Sequence, residues 1–136
     1  MGDVVPGETW KATYAALTMF VEDVGSSKEF YRRAFQSEPI FENEDSVIFR
    51  IGGLVVNLLH ESAVPELIEP APMAPAAAGA RAVYTLEVED VDAVVARLAD
   101  NGVALLNGPM NRPWGPRTAS FQDPSGHIWE IAGSAD

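Results

Sequence analysis

The chain has 136 residues, 20 acidic against nine basic side chains, a net charge of −11 and no cysteine. That length holds a single domain with one real core, and the missing thiols exclude disulfides, thiolate metal sites and cysteine nucleophiles. The charge is that of an ordinary acidic proteome or of a protein with a cationic ligand; it argues against nucleic acid and anionic membranes as partners.

The opening residues Met1–Glu8 carry neither a basic n-region nor an apolar h-region, and no apolar run approaches the roughly 20 residues that span a bilayer. A cytoplasmic protein is expected. From Thr13 to Val21 the pattern alternates, with Leu17, Met19 and Val21 on one face and Ala16, Thr18 and Phe20 on the other, which predicts a half-buried strand. Ser26-Ser27-Lys28-Glu29 fits a capping box with Ser26 as N-cap, opening a helix whose apolar stripe is Phe30, Tyr31, Ala34 and Phe35. Three strands are predicted next, at 38–42, 46–51 and 54–59, with turns at Asn43-Glu44-Asp45 and Gly52-Gly53. Residues 61–80 hold Pro65, Pro70, Pro72, Pro75 and a run of alanines, without usable period. They read as a connector, either a spacer or a lid.

The same order then recurs. Residues 82–88 alternate, with Tyr84, Leu86 and Val88 inward; Asp90 or Asp92 caps a helix that buries Val91, Val94, Val95 and Leu98 and stops at Asn101-Gly102. Strands follow at 103–106, 118–122 and 127–132, the last two joined by a tight type I turn at Asp123-Pro124-Ser125-Gly126. Val-Glu-Asp-Val stands at both strand-to-helix junctions, Val21–Val24 and Val88–Val91, 67 residues apart. The chain is therefore one small unit written twice. The expected architecture is α+β: repeat one over about 13–60, the connector, and repeat two over about 81–132. Two βαβββ units would curl into an eight-stranded cup lined by the faces that point away from the helices.

The two junctions, Glu29-Phe30-Tyr31, Trp114-Gly115-Pro116-Arg117 and the closing run Phe121–Glu130 resemble the vicinal oxygen chelate superfamily of glyoxalases, extradiol dioxygenases, fosfomycin-resistance enzymes and bleomycin-binding proteins. The resemblance implies a four-ligand metal position, two ligands from the first strands and two from the last strands. Seven residues before Asp23 and Asp90 stand Ala16 and Val83; four residues after Gly53 and Gly126 stand Asn57 and Glu130. A divalent ion needs three or four convergent N, O or S donors. One carboxylate and one amide do not supply them, so no metal and no other cofactor is expected. His60 and His127 read as surface or turn histidines.

Without the metal the Lewis acid of the family's reactions is missing, and no Ser-His-Asp arrangement or phosphate loop replaces it. What remains is a cup lined by Thr18, Phe20 and Asn57 from one repeat and Thr85, Glu87 and Glu130 from the other. Trp114 either stacks on a planar ligand or packs its loop onto the rim; Arg117 either pairs with an acid there or is an ordinary surface arginine. This pattern is similar to the antibiotic-binding members, which sequester planar or cationic compounds. The resemblance implies a homodimer whose two cups each draw on both chains, the open sheet edges being covered at a two-fold interface. Two other readings stay open: an enzyme whose metal ligands have moved to His60, Glu61 or His127, and a cofactor-free enzyme using Glu130 as general base.

Overall fold

The computed structural model describes Gly7 and residues 10–135. Strand β1 (Leu17–Val21), helix α1 (Val24–Phe35) and strands β2 (Phe41–Glu42), β3 (Ser46–Ile51) and β4 (Leu54–His60) make the first unit. A one-turn helix α2 (Pro65–Ile68) lies in the connector, between 3-10 turns at Glu61–Ala63 and Ala76–Ala78. The second unit is β5 (Val83–Glu87), α3 (Val91–Asp100), β6 (Asn107–Asn111), β7 (Arg117–Gln122) and β8 (Ile128–Gly133). Each unit forms its own four-stranded sheet, ordered β1-β4-β3-β2 and β5-β8-β7-β6, with the first strand parallel to the last. The expected pair of βαβββ units is present.

The duplicated junction works identically in both halves. Asp23 precedes α1 in extended conformation and its carboxylate accepts the Ser26 N–H at 3.0 Å; Asp90 does the same for Ala93 at 3.0 Å. Ser26 is thus the third helical residue, not the N-cap, and Glu29 pairs with Arg32 instead of reaching back. The aspartate wins because the backbone is still extended there, where a short carboxylate reaches the free N–H groups of the first turn. Helix α3 ends as expected: Gly102 takes φ +77°, with Gly102 N–H bonded to Ala99 O and Val103 N–H to Leu98 O.

Two strands depart from the pattern. Strand β2 is only Phe41–Glu42, because Pro39 lacks an amide proton and the next turn begins at Asn43, whose side chain accepts from Asp45 and Ser46. The strand expected at 103–106 starts later, at Asn107. Val103 is used up closing the helix and buries its side chain in the core. Strand β6 then lies so close to β7 that a Cβ on Gly108 would stand 2.5 Å from Thr118 O, with φ at +83°. Only glycine fits there.

The helix-facing sides of both sheets share one core. Met19, Val21, Phe30, Tyr31, Val47, Phe49, Val56 and Leu58 from the first unit join Val91, Leu98, Val103, Ala119, Phe121, Trp129 and Ile131 from the second. Leu17, Phe35, Tyr84, Leu86, Val88 and Val95, expected to be largely buried, are half-buried and pack against its edge. Aromatic rings carry the junction between units: Phe30 meets Phe121, and Tyr31 and Phe35 both meet Trp129. Because both sheets turn their helix sides to this core, their helix-free faces lie outside it.

Candidate functional site

The helix-free face of the first sheet is set by register. Thr18 lies opposite Asn57, which lies opposite Ile48, and Phe41 completes the row; Phe20 sits beside Leu59 in the next. Thr18, Phe20 and Asn57 are half-buried. The side-chain oxygen Oδ1 of Asn57 is buried with no hydrogen-bond partner among the described residues. A buried acceptor without a donor costs about 1–3 kcal/mol, so this position calls for an N–H or O–H from outside the chain.

On the second sheet Thr85 lies opposite Glu130, which lies opposite Ser120, and Glu87 lies opposite Ala132 and Thr118 in the next row. Thr85 Oγ1 donates to Glu130 Oε1 at 2.9 Å, which fixes that carboxylate against the sheet. Thr85 and Glu87 are exposed and Glu130 half-exposed. An open groove of about 380 Å³ runs along Glu87, Ala132, Gly133 and Pro116. The pairs Thr18/Asn57 and Thr85/Glu130 occupy the same register in the two units. Two groups of the expected lining therefore exist as coherent rows. They sit on two separate outward faces of the chain and do not meet in one cavity within it.

The four positions that would hold a divalent ion do not fit one. Ala16 and Val83 offer no donor, which leaves one amide and one carboxylate. The histidines are engaged elsewhere. His60 Nδ1 accepts the Ser62 N–H at 3.1 Å, capping the turn that contains Glu61, and His127 Nε2 donates to Phe20 O at 2.9 Å across the two units. Among the described residues no three His, Asp or Glu side chains are grouped to hold an ion. Arg117 points to the helix side, where it pairs with Asp92 at 2.9 Å.

Two arrangements escaped sequence reasoning. The first is structural. Asp123, 3 % exposed, accepts the Tyr31 hydroxyl on Oδ2 at 2.8 Å and the Ser125 and His127 N–H groups on Oδ1, while Trp129 Nε1 donates to the Tyr31 oxygen at 2.9 Å. Burial first, then the Asp123 charge, holds the Tyr31 hydroxyl far above its ordinary pKa. The second lies on the outward face. Arg112 Nε donates to Thr118 Oγ1 at 2.8 Å and Nη2 to Asn107 Oδ1 at 3.3 Å, and its guanidinium stands 5.4 Å from the centre of the Trp114 ring. Trp114 is 70 % exposed. Thr118 stands on this face through the register of β7 with β8; the loop geometry that folds Arg112 back onto it has no periodic signature.

The chain matches, over residues 13–131, the family model described as the Glyoxalase/Bleomycin resistance protein/Dioxygenase superfamily. An uncharacterized protein of Mycobacterium bovis is 29 % identical over 120 residues, covering 83 % of this chain and 78 % of its own. Among solved structures, a glyoxalase-related enzyme from Fulvimarina pelagi superposes with a TM-score of 0.76 at 24 % identity, over 92 % of this chain and 89 % of the other. A genomically encoded fosfomycin resistance protein from Listeria monocytogenes superposes with a TM-score of 0.69 at 19 % identity, over 93 % and 96 %.

Proposed function

The chain belongs to the glyoxalase/bleomycin resistance protein/dioxygenase superfamily, and from that premise we propose that it binds and sequesters a planar or cationic antibiotic-like compound without using a metal. The observation that carries this reading is the content of the four positions: Asn57 and Glu130 supply one oxygen-bearing side chain each, and Ala16 and Val83 supply none. The chemistry that remains is accepting. Asn57 Oδ1 lacks a donor, and Glu130 and Glu87 present carboxylates. A ligand with N–H groups and positive charge answers all three. The fosfomycin resistance protein of similar fold supports the resistance half of the reading.

The cup belongs to a homodimer in the cytoplasm. Two outward faces per chain, one carrying Thr18, Phe20 and Asn57 and the other Thr85, Glu87 and Glu130, become two cups when a second copy sets its first-sheet face against the second-sheet face of its partner. No helix among the described residues is long and apolar enough to cross a membrane.

A thermal-shift screen against planar and cationic natural products tests the proposal. A ligand at 100 times its Kd stabilises by about 2.7 kcal/mol, and Glu130→Gln should weaken a cationic ligand without altering the fold. Elemental analysis of protein grown in metal-supplemented medium should find well under one divalent ion per chain. A stoichiometric metal that vanishes in a His60 or His127 variant would overturn the reading in favour of a metal enzyme.

A further inference from the structure

Among the basic side chains, Lys28 pairs with Glu42, Arg32 with Glu29 and Glu38, and Arg117 with Asp92. Arg112 differs. In a chain of net charge −11 its guanidinium is held by three neutral groups, the Thr118 hydroxyl, the Asn107 amide oxygen and the Trp114 ring, and by no carboxylate among the described residues. The loop that carries it is itself fixed: Arg112 N–H donates to Pro116 O at 2.7 Å and Gly115 N–H to Arg112 O at 3.0 Å. Nε and one N–H of Nη2 are engaged on the sheet side, and the outer edge, formed by Nη1 and the second N–H of Nη2, has no hydrogen-bond partner among the described residues. A planar fork held by neutral partners keeps its full charge for a ligand, and its geometry matches a carboxylate bidentately.

An acid stands on the same face, diagonal to the residue that anchors Arg112. Thr118 anchors Arg112, and Ser120, two residues on, lies directly opposite Glu130. Diagonal neighbours across an antiparallel pair are about 7–8 Å apart. The exposed Trp114 ring lies against the guanidinium, open to a second ring.

We propose that Arg112 and Trp114 form an anion-recognising subsite on the helix-free face of the second sheet, and that the ligand is a zwitterionic aromatic compound. Its carboxylate engages Arg112, its ring stacks on Trp114 and its ammonium group engages Glu130. This rests on the sequestration reading and narrows its ligand class, from cationic to bipolar.

The test uses three probes in calorimetric titration of the full chain: 4-(aminomethyl)benzoate, which carries both charges a ring's length apart, 4-methylbenzoate and 4-methylbenzylamine. The zwitterion should bind at least tenfold more tightly than either single-charge probe. Arg112→Gln should bring the zwitterion to the level of the amine and leave the amine within twofold, while Glu130→Gln does the reverse. Arg112→Lys, which keeps the charge and loses the fork, should fall between and serves if Arg112→Gln does not fold. Equal binding of amine and zwitterion, or equal loss of both in the Arg112 variants, overturns the subsite and leaves the cationic-ligand reading standing. Binding of none of the three at millimolar concentration overturns both.

Discussion

Tyr31 does more for this molecule than its place on a helix stripe implies. Its ring stacks on Phe35 and meets Trp129 edge-on, and its hydroxyl joins the indole of Trp129 to the carboxylate of Asp123. Tyr31→Phe strands both groups, at about 1–3 kcal/mol each, and denaturant unfolding at neutral pH should show it. The pH dependence is a sharper check. The folded hydroxyl ionises far above its ordinary value, whereas the unfolded chain releases that proton near pH 10. Stability from this group is therefore complete below about pH 10 and falls as pH rises above it. The wild type should lose stability steeply in that alkaline range and Tyr31→Phe less so. Tyr84, raised by burial and then by Asp123, keeps part of the slope.

At the scale of elements, the two helices begin with the same device. Asp23→Ala and Asp90→Ala should each cost about 1 kcal/mol, within 0.5–2, and the double variant should lose their sum because the caps lie in different units. Ser26→Ala should change stability by less than about 0.5 kcal/mol, since the Ser26 hydroxyl only meets Asp23 O at the surface; midpoints of thermal unfolding decide all three. The contrast shows what was legible. Alternation exposes the faces of β1 and β5, because a strand's period of two survives in sequence whatever packs against it. Thr18 and Thr85 are legible from it, whereas Asn57 and Glu130 follow from the resemblance, and register sets all four on the helix-free faces. Junction chemistry was ambiguous. Asp23 and Ser26 are both good caps, and only the backbone angle at Asp23 separates them. Strand β6 was misplaced because Val103 carries the apolar signal of a strand yet closes a helix. Arg112 and Asp123 were missed as partners, since their contacts join residues through loop geometry and across 92 positions of chain respectively.

At the scale of the whole molecule, the two binding faces belong to separate sheets, so a cup that joins them needs a second copy. Light scattering at micromolar concentration should give twice 14.6 kDa, and a mass of one chain would refute the assembly. Hybrids test the composition of each cup. Asn57→Leu chains mixed with Glu130→Gln chains should recover one intact cup per dimer if each cup takes a face from both; no recovery would mean that each cup lies within one chain. The core has another consequence, which concerns covalent continuity. Tyr31, Phe30 and Phe35 are completed only by Trp129 and Phe121 from the other unit, so neither half has a finished interior alone. The connector then contributes chiefly effective concentration. Two polypeptides produced by a break inside residues 61–80 should each be unstructured by circular dichroism and should fold on mixing. Their reassembly should depend on concentration, where the intact chain folds without regard to it.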